Sequence, residues 1–390
     1  MRNIYRYATF CIAATAAPDG TVGLFFDRKP LSLTPFTLDL KCGDELHWPP
    51  SAKYQCSFAW PDAYTQIDCA PLNQRGWVAQ ERYLSPRILH FARRFVLWEC
   101  PDGITSETHP DGLPGWLQAG NIDDNLYSLK SIMNDFRGIG ETESDDSVAY
   151  ANSTNDFFWS WCKFRALYTS FNLTKESDIL IALHGIAQDA GERLQDKLVA
   201  GLWRRRFIED MCWSIRETPT KPYRPASWRA PSWSWASSMQ RIKPSRLGFT
   251  SRGKVQDISE VLEVEGETND HGGLVRATLT LRAQLLACTY DSFSSESTDD
   301  VDDDMDPGAF GIRIFPDEPV LANSDEKTEQ RLMILRQHSY NQSVLFEGIV
   351  IERCDAEEAR HYRRVGYWRN KDWCSFEEHW STESQVITLV

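Results

Sequence analysis

The chain has 390 residues, of which 42% are hydrophobic and 25% charged, and its 56 acidic and 42 basic side chains give a formal net charge of −14. That length supplies material for two or three domains with real cores. The acidic balance repels nucleic acid phosphates and anionic membrane surfaces, and no stretch approaches the roughly 18–20 apolar residues of a membrane span.

In chain order, the opening MRNIYRYATFCIAATAAPDG combines early arginines, a short apolar run from Ala8 and a small-residue ending. Those features approach a secretory signal peptide, and they equally describe a helix end (Asn3 to Tyr7) followed by a buried strand (Thr9 to Ala14). Next, PLNQRGWVAQERYLSPR (71–87) predicts a helix over Asn73 to Leu84, with Trp77 and Leu84 seven apart on one face. Gln80 and Glu81 fall between them on that stripe, where an unpaired polar group would cost about 1–3 kcal/mol. Arg75, Gln80, Glu81 and Arg87 therefore form the candidate polar cluster. In a structural reading, Glu81 pairs with Arg75 or Arg87, and Gln80 satisfies backbone groups of the following hairpin. In a functional reading, the cluster borders a site, because a carboxylate held on an apolar face by an arginine has the environment catalysis uses. The hairpin is ILHFARRFVLWEC (88–100), two apolar runs around Arg93 and Arg94, and 101–118 is rich in turn formers and reads as a linker or surface loop.

Residues 119–216 read as helical. In ESDILIALHGIAQDAGERL, Ile179, Leu183, Ile186, Ala187 and Ala190 recur at helical offsets; in QDKLVAGLWRRRFIEDMCWSI, Val199, Trp203, Phe207 and Met211 are spaced by four. Arg204–Arg206 beside Glu209 and Asp210 reads as a solvated basic face rather than an anion site. From 217 to 390 the chain reads as β, through 274–286, 343–353, 361–369 and 384–390. In RAPSWSWAS (229–237), Trp233 and Trp235 would share one face of a strand, a core-packing motif more than a pocket lining. The stretch 291–306 carries eight acidic groups and no basic one and predicts a disordered, solvated loop, without the glycine of a calcium loop. Ten cysteines without a CxxC pair fit neither a disulfide framework nor a zinc template, so free thiols and no metal are expected. The sequons at Asn152, Asn172 and Asn341 matter only in a secreted chain. Nucleotide-loop, GxSxG and HExxH motifs do not occur, and nothing in the spacing pairs Cys162 or a histidine into a catalytic dyad.

Several of these phrases together resemble fungal heterokaryon incompatibility (HET) domain proteins. NIYRYATFCIAATAAPDGTVGLFFDR (3–28) is similar to the end of the HET domain, a helix followed by a small-residue strand and Gly-Leu-Phe. RGWVAQERYLSPRILHF (75–91) with LWEC (97–100) resembles the family's R-G-W-x-x-Q-E-R-x-L-S-x-R hallmark and its W-E-C, and LTKESDILIALHGIAQ (173–188), AGLWRRRF (200–207), RAPSWSWAS, YRRVGYWR and VITLV follow in the family's order. The family's L-S-Y-x-W-G and W-I-D-x-x-C-I-x-Q phrases do not occur here, so the resemblance implies a chain lacking the amino-terminal half of the domain.

The resemblance turns the opening residues into an internal strand and implies a cytoplasmic protein with protein partners. The patterning along the chain predicts an α+β architecture in three regions: 1–118, which the resemblance makes an incomplete α/β-type remnant, a helical region over 119–216 and a mainly antiparallel β region over 217–390. Trp77, Leu84, Trp98, Trp203, Trp233 and Trp235 are the structural motif residues. The function implied is fungal non-self recognition, in this form as a non-enzymatic interaction or regulatory component without a cofactor. One alternative is a cell-death effector, NAD-consuming if a complete domain resembles the Toll/interleukin-receptor-like domains that cleave NAD. Another is a secreted carbohydrate-binding protein using its 15 Trp residues as sugar platforms.

Overall fold

In the computed structural model, the described residues are 1–28, 36–40, 52–56, 63–113, 147–215, 224–245, 254–269, 273–287, 311–318, 330–340, 343–354, 360–371 and 383–390. They fall into two units, Met1–Asn134 and Asp135–Val390, so most of the stretch that reads as helical shares a unit with the β-rich stretch. The acidic stretch 291–306, residues 114–118 and Asn341 lie outside the described residues.

The first unit begins with helix α1 (Arg2–Arg6) and strand β1 (Cys11–Ala13), as the opening residues predict. A separate hairpin pairs β2 (Phe36–Leu40) with β3 (Ala52–Cys56). After a wide helical turn over Tyr64–Asp68 and a tight one over Pro71–Gln74, helix α2 spans Gly76–Leu84, shorter than the expected Asn73 to Leu84. The predicted hairpin is present as β4 (Ile88–Phe91) and β5 (Val96–Cys100), with exposed Arg93 and Arg94 at the bend. The stretch expected to be a linker or surface loop contains β6 (Gly103–Ser106), whose Ile104 and Ser106 alternate inward. β1 joins β4 in parallel, β4, β5 and β6 are antiparallel, and the sheet order is β1-β4-β5-β6. Ile67, Phe95, Leu97 and Ile104 form its core.

The second unit opens with helix α3 (Ser147–Tyr168). The continuous helix expected over 176–194 is split into a tight turn, Glu176–Ile179, and helix α4 (His184–Leu194). The helix expected over 195–215 does not form. Ala200 and Gly201 both take positive φ, 49° and 89°, and make the two-residue turn of a hairpin between β7 (Leu198–Val199) and β8 (Leu202–Trp203). A three-residue turn over Arg204–Arg206, the short helix α5 (Phe207–Asp210) and β9 (Trp213–Ile215) follow, β9 pairing with β10 (Ile242–Pro244). The four-residue spacing of Val199, Trp203, Phe207 and Met211 thus marks burial without a helix. A Cβ on Gly201 would lie 2.8 Å from Trp235 Nε1, which donates to the Gly201 carbonyl at 2.8 Å. Gly201→Ala is expected to lower stability by about 2–3 kcal/mol in urea unfolding, through both the φ and the collision.

The carboxyl-terminal strands are β11 (Lys254–Asp257), β12 (Glu260–Thr268), β13 (Leu274–Ala287), β14 (Gly311–Pro316), β15 (Gln330–Tyr340), β16 (Ser343–Arg353), β17 (His361–Lys371) and β18 (Ser384–Leu389). β13 pairs with both β15 and β18, so β13-β15-β16-β17-β18 closes into a ring. Within that ring all pairings are antiparallel except β17 with β18. β11, β12 and β14 attach to its outside as edge strands. β16 is buried on both faces over 346–352, whereas β13 over 277–285 alternates buried positions with half-buried or exposed ones. The class is α+β.

Candidate functional site

The side chain that organises the first unit is Arg82, one residue beyond the predicted Gln80–Glu81 pair. It is 2% exposed. Its Nε and Nη2 donate to the two oxygens of Glu99 at 2.9 and 2.6 Å, and its Nη1 donates to Asp68 Oδ1 at 2.6 Å. Glu99 occupies an inward position of β5, where strand alternation would put an apolar residue. His90 of β4 lies with Nε2 3.2 Å from Glu99 and Nδ1 2.9 Å from the Thr15 hydroxyl. Burial works to lower the pKa of Arg82, but Asp68 and then Glu99 outweigh it and raise it. Burial also holds His90 below its ordinary value against the pull of Glu99, which leaves a neutral ring. Such a ring gives its Nε2 proton to Glu99 and accepts the Thr15 proton at Nδ1. Thr15, His90, Glu99, Arg82 and Asp68 thus form one buried chain of polar groups. It locks α2, β4, β5 and the turn at Asp68 into a single register.

The expected cluster is placed differently. Gln80 is buried, Glu81 half-buried, and Arg75 and Arg87 are both exposed, so the four do not converge. Glu81 accepts from the Tyr5 hydroxyl of α1, a partner that sequence spacing did not indicate. Burial raises the pKa of Glu81, against the Tyr5 hydrogen bond and the charge of Arg75; Tyr5 in turn is pushed up to about 12 by burial and then by Glu81. The Arg75 half of the expected pairing therefore acts through its charge. No ion pair joins Arg87 to Glu81 among the described residues. Nor does α2 have one greasy stripe: Val78, Ala79, Arg82 and Tyr83 are buried as well as Leu84, while Trp77, like Trp98 of β5, is half-buried.

RAPSWSWAS is not a strand but a loop ending in a short turn, Trp235–Ser237. Trp203, Trp233 and Trp235 are each fully buried. Trp233 Nε1 donates to the Leu389 carbonyl at 3.3 Å, and the Ser234 hydroxyl to the Ala200 carbonyl at 2.6 Å. Ser234 is buried, and Ser232 donates to the Val390 carbonyl. Arg229 donates to three main-chain carbonyls, those of Ala236, Glu176 and Ser238, and so holds the loop closed. Pro231 and the need to supply these side-chain bonds in several directions explain why the loop cannot be a ladder strand. Arg204 and Arg205 are exposed, and Arg206 pairs with Glu209 at 2.7 Å.

Two further buried acids stand out. Glu347 of β16 accepts from His338 Nε2 at 2.9 Å, Tyr367 Oη at 2.8 Å and Arg336 Nη1 at 3.3 Å. Burial works to raise its pKa, but the His338 hydrogen bond and the Arg336 charge outweigh it and hold the carboxyl at about 2. The unfolded chain therefore takes up that proton first. The stabilisation is complete above the ordinary value of 4.5 and is lost as pH falls through about 2. Glu347→Gln is expected to flatten the fall of Tm over that window, read by thermal melts in a pH series. Asp210 behaves oppositely. Burial, outweighing Arg165 at 3.0 Å, raises its pKa to about 6, so its contribution weakens as pH rises through that value. Cys162 lies buried at 3.3 Å from Arg165, its thiol pushed up to about 12 by burial and hence unreactive.

Among the described residues, no group of three or more His, Cys, Asp or Glu side chains is arranged to hold a metal ion, and no helix is long and apolar enough to cross a membrane. Glu99 and His90 were legible only in combination, as polar residues at inward positions of a hairpin whose other inward residues are apolar. No family model and no curated protein matches the sequence, and no solved structure matches the fold.

Proposed function

We propose that this chain is a HET-type protein of fungal non-self recognition, acting in the cytoplasm as a non-enzymatic interaction or regulatory component. The observation that carries the reading is the Arg82–Glu99 pair. It joins RGWVAQERYLSPR to LWEC, the two phrases most specific to the resemblance, and both partners are out of reach of solvent. Residues of that kind shape a scaffold; they do not meet a substrate. The fully buried Trp203, Trp233 and Trp235 weigh against sugar platforms in the same way.

The test is induced expression of the full chain in a filamentous fungus, with viability and total NAD followed over time. The expected result is unchanged growth and unchanged NAD, together with altered incompatibility when a HET protein containing the amino-terminal phrases is co-expressed. Death or NAD loss caused by this chain alone would overturn the reading. The second reading, a cell-death effector, draws on the raised pKa of half-buried Glu81 beside Tyr5. It requires that Glu81→Ala relieve toxicity without lowering Tm. On the architectural reading, Glu81→Gln instead lowers Tm by weakening the hydrogen bond from α1, at a cost of about 1 kcal/mol.

A further inference from the structure

Among the described residues, β1 is an edge strand of the first unit's sheet. Cys11 N–H donates to the Arg87 carbonyl, and the register Cys11↔Ile88, Ala13↔His90 turns the amide and carbonyl of Ile12 away from β4. Among the described residues, nothing bonds to either group. Natural edge strands are guarded by charges, proline, bulges or a covering element. The stretch Phe10 to Ala14 carries no charge and no proline, and its pairing with β4 runs without a bulge.

The side chains around this edge are apolar and exposed. Ile12 is 58% exposed and begins a row, Ile12, Leu89, Trp98, across the face of the sheet that points away from Arg82. Phe10 lies 6.2 Å from Trp98 and Phe25 packs edge-on to Phe91 at 5.6 Å, both with much of their rings in solvent. Ile4 of α1 and Tyr7, the residue that follows the helix, are exposed as well.

We propose that β1 is a self-association strand: two copies of this chain pair β1 antiparallel about a two-fold axis at Ile12, joining two four-stranded sheets into one of eight. The occupant is a second copy because the edge is self-complementary. A residue with both backbone groups outward meets its own symmetry mate as a hydrogen-bonded pair. Charge agrees, since Arg2 and Arg6 precede β1 and Asp19 follows it, so antiparallel pairing brings the basic end of one copy toward the acidic end of the other. Although the whole chain carries −14, residues 1–28 hold three arginines against two aspartates, so the acidic repulsion lies elsewhere. The proposal is independent of the function proposed above.

The test is sedimentation of the full chain from about 1 to 100 μM. The expected species is a dimer of the 44.8 kDa chain. Ile12→Lys should raise the dissociation constant at least tenfold with Tm and circular dichroism kept, because the side chain it replaces is exposed. Leu262→Lys, an exposed position in the second unit, should leave the dimer intact. Should Ile12→Lys lose its fold, hydrogen exchange of the wild-type Ile12 amide decides: protection must rise with protein concentration. A monomer throughout, a dimer that a folded Ile12→Lys protein retains, or Ile12 protection that ignores concentration would each overturn the proposal. The last of these would mean that the chain covers its own edge.

Discussion

Arg82→Met is expected to destabilise the first unit by about 3–5 kcal/mol, because it leaves Asp68 and Glu99 as buried charges without their cation. The readout is urea unfolding, together with loss of hydrogen-exchange protection over 76–106. The size of the effect comes from desolvation and not from the strength of the bridge. Two carboxylates and a guanidinium have already been taken out of water, and their mutual attraction only offsets that cost. The triple replacement Arg82→Met, Asp68→Leu, Glu99→Leu should therefore recover most of the loss, since a well-packed apolar core has no such penalty to offset. His90, whose ring is already neutral, strands no charge in that variant, but its buried Nε2–H loses its acceptor at about 1–3 kcal/mol, which keeps the recovery from being complete. If the single and triple variants were equally unstable, the network would be holding the unit together by its attraction, and the architectural account would fail.

The Arg82 network also measures how far the sequence can be read. The strands were legible because their determinants are local: β-branched alternation marked β13, β16, β17 and β18, and two apolar runs around Arg93 and Arg94 marked β4 and β5. The region at 195–215 was misread because a spacing of four is common to a helix and to residues that a tertiary fold happens to bury. The decisive signal there was Gly201, whose positive φ a helix cannot use. The candidate site was misplaced by one residue for a different reason. Gln80 and Glu81 stand out only if α2 buries a single stripe, whereas α2 is buried nearly all round. In that setting the informative residue is the one whose charge has a buried counterpart elsewhere in the chain. Arg82 and Glu99 are 17 positions apart, and nothing in either phrase alone pairs them.

Arg364→Ala is expected to have an effect of similar size in the second unit. Arg364 is fully buried on β17. Its Nε and Nη2 donate to the two oxygens of Asp317 at 2.9 and 3.2 Å, Nη1 donates to the Met211 carbonyl at 2.7 Å, and Nη2 also reaches the Trp213 carbonyl at 2.5 Å. The guanidinium lies 3.4 Å from the centre of the Trp213 ring. One side chain thus ties the strand ring to the segment after α5, where the main chain would otherwise turn its carbonyls toward a dry interior. Truncation strands Asp317 as a buried charge, at about 3–5 kcal/mol, and leaves two carbonyls short of a donor at about 1–3 kcal/mol each, not additively. Arg364→Lys should recover little. A single ammonium cannot grip both oxygens of Asp317, reach two carbonyls and stack flat on Trp213 at once. Asp317→Asn separates the contributions. If the charge pair dominates, it should cost nearly as much as Arg364→Ala; if the carbonyls dominate, it should cost much less, and the Trp213 indole fluorescence should keep its native maximum. The first outcome is expected, because Asp317→Asn leaves the guanidinium as a buried charge whose desolvation no carboxylate offsets.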